Sequence, residues 1–168
     1  MRADDQLADP ISVIRQQVDA ASALRSIDAL AGAATASIER KMYYPYYRFT
    51  ADCAVPTLFG RKTMTVNCLV DGVSGLGATA VDFSIEPATA PADALLQLAV
   101  SAQEAERAAH RTISHQLSRK LRMIASFRVD IEPQSVVYKG FWIIRSQDTL
   151  VMVDSSSGCI HPLSSRAA

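Results

Sequence analysis

The fold of this chain is decided by residues 42–49, which read MYYPYYRF and place four tyrosines around Pro45. Ninety-five residues later, residues 137–144 read VYKGFWII and repeat the outline of large aromatic side chains. Gly140 of the second segment falls where Pro45 lies in the first. Neither residue makes an ordinary central strand, so both positions predict a bulge or a sharp bend. The pattern predicts that the chain contains two copies of the same hydrophobic core.

A second motif recurs in the same order, VDGVSG at residues 70–75 and VDSSSG at residues 153–158. Asp71 and Asp154 each end an apolar stretch, where a side-chain oxygen can cap the following turn. The glycine that closes each motif can supply the positive φ of such turns. Two motifs repeated in order predict an internal duplication.

The predicted elements run helix, strands, connector, helix, strands. Asp9 and Pro10 predict a helix start, because Asp9 can act as an N-cap and the Pro10 ring fixes φ near the helical value. Apolar residues at helical spacing then continue to Ile38. Pro91 predicts a second helix that ends near Arg119. Strands are predicted at residues 42–53, 62–71, 75–86, 127–131, 136–145, 149–154 and 159–163, with a connector at 87–93.

We therefore predict an α+β fold of two tandem repeats, each a helix packed on a curved antiparallel sheet. Residues 1–8 form a disordered tail, residues 9–88 the first repeat and residues 89–168 the second. Repeats of about 80 residues are marginal alone, so we expect them to pack together as one globular unit, as a pseudo-twofold pair.

Alternation along the strands sorts the aromatic side chains by face. One face, which carries Tyr43, Pro45, Tyr47 and Phe49 in the first copy, is expected under the helix. The opposite face is the predicted binding surface, with residues 56–62 at its rim. Its candidate residues for a ligand or a partner are Tyr44, Tyr46, Arg48 and Phe141.

Composition narrows the class of protein. Seventeen basic and seventeen acidic side chains cancel among 168 residues, so no global field draws the chain to nucleic acid or to an anionic membrane. The sequence shows no signal peptide and no apolar run near the ~18 residues of a membrane span, which predicts a cytoplasmic protein. Three cysteines without framework spacing argue against a disulfide-built domain, and Cys53 and Cys68 are predicted to be two buried thiols. A hairpin that turns at Gly60–Arg61 would nevertheless set Cys53 opposite Cys68.

No catalytic group, cofactor motif or metal site is predicted. His110 and His115 lie five residues apart and so do not share a helix face as a metal pair would. We therefore expect a non-enzymatic binding or regulatory module. The alternative is a small enzyme with a pocket between the curved sheet and its helix, using Tyr46, Asp71 or His161 for acid–base chemistry.

Residues 107–128 form a basic stretch, which leaves a second alternative of weak anion or nucleic-acid binding. Basic side chains near a helix C-terminus more often form a solvated face, and nucleic acid is an unlikely partner for a chain without net charge. The expected partner is a protein or a small-molecule ligand of unknown identity. An uncovered sheet edge would favour a homodimer.

A helix followed by an antiparallel sheet that ends in V-D-x-x-S-G resembles PepSY-type domains and, more loosely, cystatin-like folds. The resemblance covers about the last thirty residues of each half. Its motif lies at residues 70–75 and 153–158. It implies a regulatory or inhibitory role, since PepSY-like modules act in that way in secreted or membrane-attached proteins.

Overall fold

A computed structural model describes residues 9–31, 36–80, 82–121 and 128–163. These residues contain two helices and eight strands, which confirms the α+β class. Within these ranges no helix is both long and apolar enough to cross a membrane. The elements are β1 (Asp9–Ile14), α1 (Ala20–Ala31), β2 (Ala36–Thr57), β3 (Gly60–Asp71), β4 (Gly77–Ala80), β5 (Ile85–Ala90), a 3₁₀ turn (Ala92–Ala94), α2 (Ala102–Leu121), β6 (Arg128–Ser146), β7 (Thr149–Asp154) and β8 (Ile160–Leu163).

The strands form a mixed sheet in the order β4-β3-β2-β6-β1-β5, and β7 pairs with both β6 and β8. Strands β1 and β5 are antiparallel, whereas β1 meets β6 in a parallel bridge between Val13 and Tyr138. The chain divides into two compact units. Unit 1 takes its described residues from Met1–Tyr44, Ser84–Leu96 and Tyr138–Ala168, and unit 2 from Pro45–Phe83 and Gln97–Val137. Each unit therefore draws on both halves of the sequence.

The core of unit 2 forms between α2 and the strands β2 and β3. The helix begins with a capping box, in which Ser101 Oγ accepts from Glu104 N–H (3.3 Å) and Glu104 Oε2 accepts from Ser101 N–H (3.0 Å). Small and branched side chains line its buried face, so the helix approaches the sheet closely. The core residues are Ala105, Ala108, Ala109, Ile113 and Leu117 of the helix with Phe49, Ala51, Cys53, Cys68 and Val70 of the strands.

Unit 1 contains two apolar clusters. Asp19 caps α1 by accepting a hydrogen bond from Ser22 N–H at 2.7 Å. This orients the helix so that Ala23 and Ile27 pack against Ile144 and Val153. The second cluster is centred on the buried residues Val13, Tyr43 and Ala90.

The prediction of a helix start at Asp9–Pro10 is wrong, because these residues begin strand β1. Val13 is fully buried there, and the strand pairs along its whole length with β5. Helix α1 starts only at Ala20 and ends at Ala31, so Ile38 lies in β2. Pro91 likewise precedes a 3₁₀ turn, and α2 begins eleven residues later at Ala102. At Pro10, long-range strand pairing overrides the local helix signal, whereas at Pro91 the helical start extends only to a 3₁₀ turn of three residues.

Several predicted strands have different bounds. Residues 128–131 and 136–145 belong to one strand, β6, and Phe127 lies outside the described residues. The stretch 75–86 contains β4 and the start of β5 rather than one strand. The predictions at residues 149–154 and 159–163 are confirmed as β7 and β8.

The hairpin between β2 and β3 turns at Leu58 and Phe59, since Thr57 pairs with Gly60. The register predicted from a turn at Gly60–Arg61 is therefore wrong. Cys53 lies opposite Met64, and Cys68 lies opposite Phe49. Both cysteines are buried free thiols, and burial raises the pKa of Cys68 to about 11.

In unit 2, the turn after β3 is fixed by a chain of backbone hydrogen bonds. Gly72 N–H donates to Pro45 C=O at 3.0 Å, and Gly72 C=O accepts from Ala99 and Val100 N–H at 2.9 and 3.0 Å. The Tyr47 hydroxyl then donates to Val100 C=O at 2.8 Å. The segment that leads into α2 is thereby held against the strand that carries Tyr47.

In unit 1, the turn after β7 is fixed in the same way. Ser155 N–H donates to Gly140 C=O at 3.0 Å, and Ser155 C=O accepts from Gln17 and Val18 N–H at 2.8 and 2.9 Å. The Trp142 indole N–H then donates to Val18 C=O at 2.9 Å. The segment that leads into α1 is held against the strand that carries Trp142.

Candidate functional site

The predicted aromatic surface is divided between the two units. In unit 1 the rings of Tyr44 and Phe141 meet edge to face, with centroids 6.4 Å apart. Phe141 is only 6% exposed, so it belongs to the buried part of unit 1. The structure therefore brings Tyr44 and Phe141 together, but Phe141 offers little surface to a ligand.

Tyr46 and Arg48 lie in unit 2. Tyr46 is the register partner of Asp71 across β2 and β3. The Arg48 guanidinium lies over the ring of Phe83 at 5.8 Å, and its Nε is buried without a hydrogen-bond partner among the described residues. Both side chains are half-buried.

The acid–base candidates Asp71 and His161 belong to different units. The Asp71 carboxylate accepts hydrogen bonds from Val73 and Ser74 N–H, both at 2.8 Å, and thus caps the turn after β3. His161 is exposed on β8, where its register partner is Met152. The geometry of Asp71 is that of a structural cap.

Asp154 occupies the corresponding turn of unit 1 and is 3% exposed. Its carboxylate accepts from the hydroxyls of Ser156 and Ser157, both at 2.7 Å, and pairs with the Lys139 ammonium at 2.6 Å. Burial by itself raises the pKa of Asp154, but the hydrogen bonds from Lys139, Ser156 and Ser157 outweigh it and lower the pKa to about 2. Asp154 is therefore an ionised, fully partnered cap.

Lys41 is a half-buried lysine that is not among the predicted site residues. Its ammonium lies 4.4 Å from the ring centroid of Trp142 and 5.3 Å from that of Tyr43, and it donates to Gln16 Oε1. Burial lowers the pKa of Lys41, and the Glu86 carboxylate partly opposes this effect. No sequence pattern marks the position, because its partners come from distant segments of unit 1.

A cleft of about 680 Å³ lies in unit 2 between β4 and the C-terminal half of α2. Gly77 makes this approach of helix and strand feasible, since a Cβ there would overlap the Thr112 hydroxyl. The Thr79 hydroxyl donates to Gln116 Oε1 across the cleft. The cleft is lined by Gly77, Ala78, Thr79, Thr112, His115, Gln116, Arg119 and Lys120.

The charge of this cleft, which we call the α2–β4 cleft, is positive. Between Arg107 and Lys120 the sequence contains no acidic side chain. Because Ile113 and Leu117 face the core, the basic residues of α2 lie on its exposed side. Arg119 and Lys120 form no ion pair with any other described residue. Residues 122–127 of the predicted basic stretch lie outside the described part of the chain.

A smaller cleft of about 380 Å³ lies on the other flank of α2. It contains Arg107 and His110, but also Glu106, beside Val129 and Ile131 of β6. The carboxylate makes this flank less favourable for an anion than the α2–β4 cleft.

Within the described ranges, no group of three or more His, Cys, Asp or Glu side chains is placed to hold a metal ion. Comparison with protein families, curated proteins and solved structures finds no match for this chain. The class defined by the fold and the site is therefore an α+β protein with a basic cleft.

Proposed function

We propose that this protein is a non-enzymatic binding module and that its ligand is a small anion held in the α2–β4 cleft. The observation that supports this most directly is the combination of Arg119 and Lys120 without ion-pair partners among the described residues. Two cations with no acidic side chain in the helix between them and Arg107 attract an anion, and a bound anion would relieve their mutual repulsion.

The remaining lining of the cleft suits a phosphate or a carboxylate. Thr112 offers a hydroxyl group and Gln116 a side-chain amide N–H group, which donate to anionic oxygens, and the Thr79 hydroxyl orients that amide by donating to Gln116 Oε1. An arginine can bind such a group through two parallel hydrogen bonds, and a lysine adds a point charge. The volume lies in the range of small-molecule pockets, about 300–1,000 Å³. The absence of net charge argues for a small anion over nucleic acid.

The first prediction concerns the two cations of the cleft. The double variant Arg119→Gln/Lys120→Gln should bind inorganic pyrophosphate at least about tenfold more weakly than the wild type, because two charge-assisted contacts are lost. Isothermal titration calorimetry at low ionic strength measures the affinity. In nitrogen-15 NMR spectra of the wild type, the amide signals of residues 77–79 and 112–120 should shift on titration.

The matched control is Arg61→Gln/Lys62→Gln, which removes the same charge from the exposed hairpin of the same unit. This control should bind pyrophosphate as the wild type does. Equal weakening in both double variants would show that net charge, and not the cleft, governs binding, and would overturn the proposal. Wild-type protein without amide shifts at residues 77–79 would do the same.

We also infer that the chain is a tandem duplication of one α+β repeat, as the two recurring motifs predict. The support comes from hydrogen bonds that match in kind, although the helix follows the strands in unit 2 and precedes them in unit 1. The hydrogen bond from Tyr47 to Val100 in unit 2 corresponds to the bond from Trp142 to Val18 in unit 1. Gly72 and Ser155 occupy the same position in the two turns and make the same backbone hydrogen bonds. The PepSY-like and cystatin-like resemblance, a regulatory role, a homodimer and a cytoplasmic location stay predictions.

The second prediction compares the glycines that close the two turns. Gly75 and Gly158 have φ of +75° and +76°, and a Cβ on either would lie 3.5 Å from the Cγ2 of a valine, Val100 or Val18. Because the strain and the space are the same, Gly75→Ala and Gly158→Ala should each lower the free energy of unfolding by about 1–2 kcal/mol. Urea denaturation measures both. Losses that differ by more than about 1.5 kcal/mol, a factor of ten in the equilibrium constant, would contradict equivalent turns.

A further inference from the structure

The hairpin between β2 and β3 ends in two apolar side chains that touch no core. Leu58 is 97% exposed and Phe59 is 100% exposed. Neither residue belongs to an apolar cluster of unit 2, and neither contributes to the α2–β4 cleft. The tip formed by residues 56–59 is therefore an apolar surface that the proposed function does not use.

Cations follow this tip directly. Arg61 and Lys62 are exposed and pair in register with Pro56 and Val55, one and two residues below the turn. No acidic side chain occurs between residues 53 and 70. An apolar tip with adjacent cations fits an anionic lipid surface. The Leu58 and Phe59 side chains would lie among the acyl chains, and the cations would lie at the headgroups.

The backbone at the tip is also suited to that environment. Strand pairing continues up to Thr57 and Gly60, and the Thr57 hydroxyl donates to Gly60 C=O at 3.1 Å. Backbone groups that are paired internally enter a headgroup layer at lower cost than unpaired ones. A narrow tip of two large side chains is also too small for a stable protein interface, which buries about 1,200–2,000 Å² in total.

We propose that the Leu58–Phe59 tip docks this protein onto an anionic lipid bilayer. The occupant is the bilayer surface itself, and the docking is peripheral and reversible. This proposal is independent of the α2–β4 cleft. Gln116 bonds to Thr79, and Thr79 pairs with Cys68, nine residues along β3 from Phe59. At about 3.3 Å per residue, the cleft and the tip lie on the order of 30 Å apart, well beyond the Debye length of about 8 Å.

The experiment is vesicle sedimentation with two lipid mixtures, phosphatidylglycerol with phosphatidylcholine and phosphatidylcholine alone. The wild type should bind the anionic vesicles and not the neutral ones. Leu58→Ser/Phe59→Ser should lose at least about tenfold in partitioning, and Arg61→Gln/Lys62→Gln should lose about fivefold for each charge removed. Arg107→Gln/Arg111→Gln, on the exposed face of α2 and outside the lining of the α2–β4 cleft, is the matched control with the same loss of charge, and it should sediment as the wild type does.

A spectroscopic variant separates insertion from adsorption. Phe59→Trp should be quenched by brominated acyl chains in anionic vesicles, while the half-buried Trp142 of the wild type should not. Because both tip side chains are exposed, the variants should fold normally, which their circular dichroism verifies. Absence of wild-type binding to anionic vesicles would overturn the proposal. So would sedimentation that Leu58→Ser/Phe59→Ser leaves unchanged, or self-association that this double variant abolishes, since a second copy would then be the partner of the tip.

Discussion

Replacement of Asp154 by alanine is expected to lower the free energy of unfolding by about 3–5 kcal/mol at neutral pH. The carboxylate is 3% exposed and receives hydrogen bonds from Ser156 and Ser157 and an ion pair from Lys139. Alanine leaves the Lys139 ammonium without its counter-charge on a side chain that is only 26% exposed. Urea denaturation followed by circular dichroism measures the loss.

The same carboxylate gives a pH dependence with a defined sign. Its pKa is about 2 in the folded protein, below the ordinary value of 3.8. The ionised form is therefore favoured by folding, so the stabilisation is complete above about pH 4 and is lost as the pH falls toward 2. The shift corresponds to about 2 kcal/mol. Asp154→Asn should remove this part of the acid dependence.

The control is Asp148→Asn, which removes one carboxylate from an exposed position in the neighbouring turn. It should keep the acid dependence that arises from Asp154. If Asp154→Asn and the wild type lose stability in parallel between about pH 4 and pH 2, the carboxylate is not held ionised by its partners, and the assignment fails.

The aromatic segments were informative because side-chain size and strand period act together. Phe49 of the first predicted repeat is buried against α2, and Ile144 of the second is buried against α1, so each strand lies under the helix of the other predicted repeat and not, as predicted, under its own. The opposite face was less predictable. Phe141 is buried beside Tyr44, because alternation separates two faces without telling whether the second one is covered.

The predicted helix starts are wrong because a proline that fits the first turn of a helix also fits a strand or a 3₁₀ turn. Asp9–Pro10 and Pro91 fit the first turn of a helix, yet both lie in or next to strands β1 and β5. The caps that function are Asp19 for α1 and the Ser101–Glu104 box for α2. The capping box is visible in the sequence as S-x-x-E. The pairing of β1 with β5 is not, because it joins segments about 75 residues apart.

The sequence predicts only one wall of the α2–β4 cleft, the basic helix α2. The basic character of α2 is evident from its residues, and helical spacing sends Arg119 and Lys120 outward when Leu117 faces the core. The other wall of the cleft is β4, a strand of only four residues, and its position depends on pairing with β3. Gly77 and Thr79 thus acquire their role from tertiary contacts that no local pattern contains.

Replacement of Trp142 by alanine is expected to lower the free energy of unfolding by about 3 kcal/mol, near the lower end of the range for buried tryptophan because the side chain is half-buried. The ring packs in the cluster that contains Ile144 and Val153, and its N–H fixes the segment before α1 through Val18 C=O. Trp142→Phe keeps most of the apolar area and loses the hydrogen bond, so it should cost about 1 kcal/mol plus a smaller packing loss.

Tyr47→Phe is the counterpart in unit 2, since it removes only the hydroxyl that donates to Val100 C=O. It should also cost about 1 kcal/mol, because the same kind of bond holds the segment before α2. Phe59→Ala at the fully exposed tip is the control for loss of an aromatic side chain and should stay within about 0.5 kcal/mol of the wild type. Urea denaturation measures the stability of these variants. If Trp142→Ala is as stable as Phe59→Ala, the indole does not hold α1 to its strand. The matched hydrogen bonds of Tyr47 and Trp142 would then have no shared role in stabilising the two units.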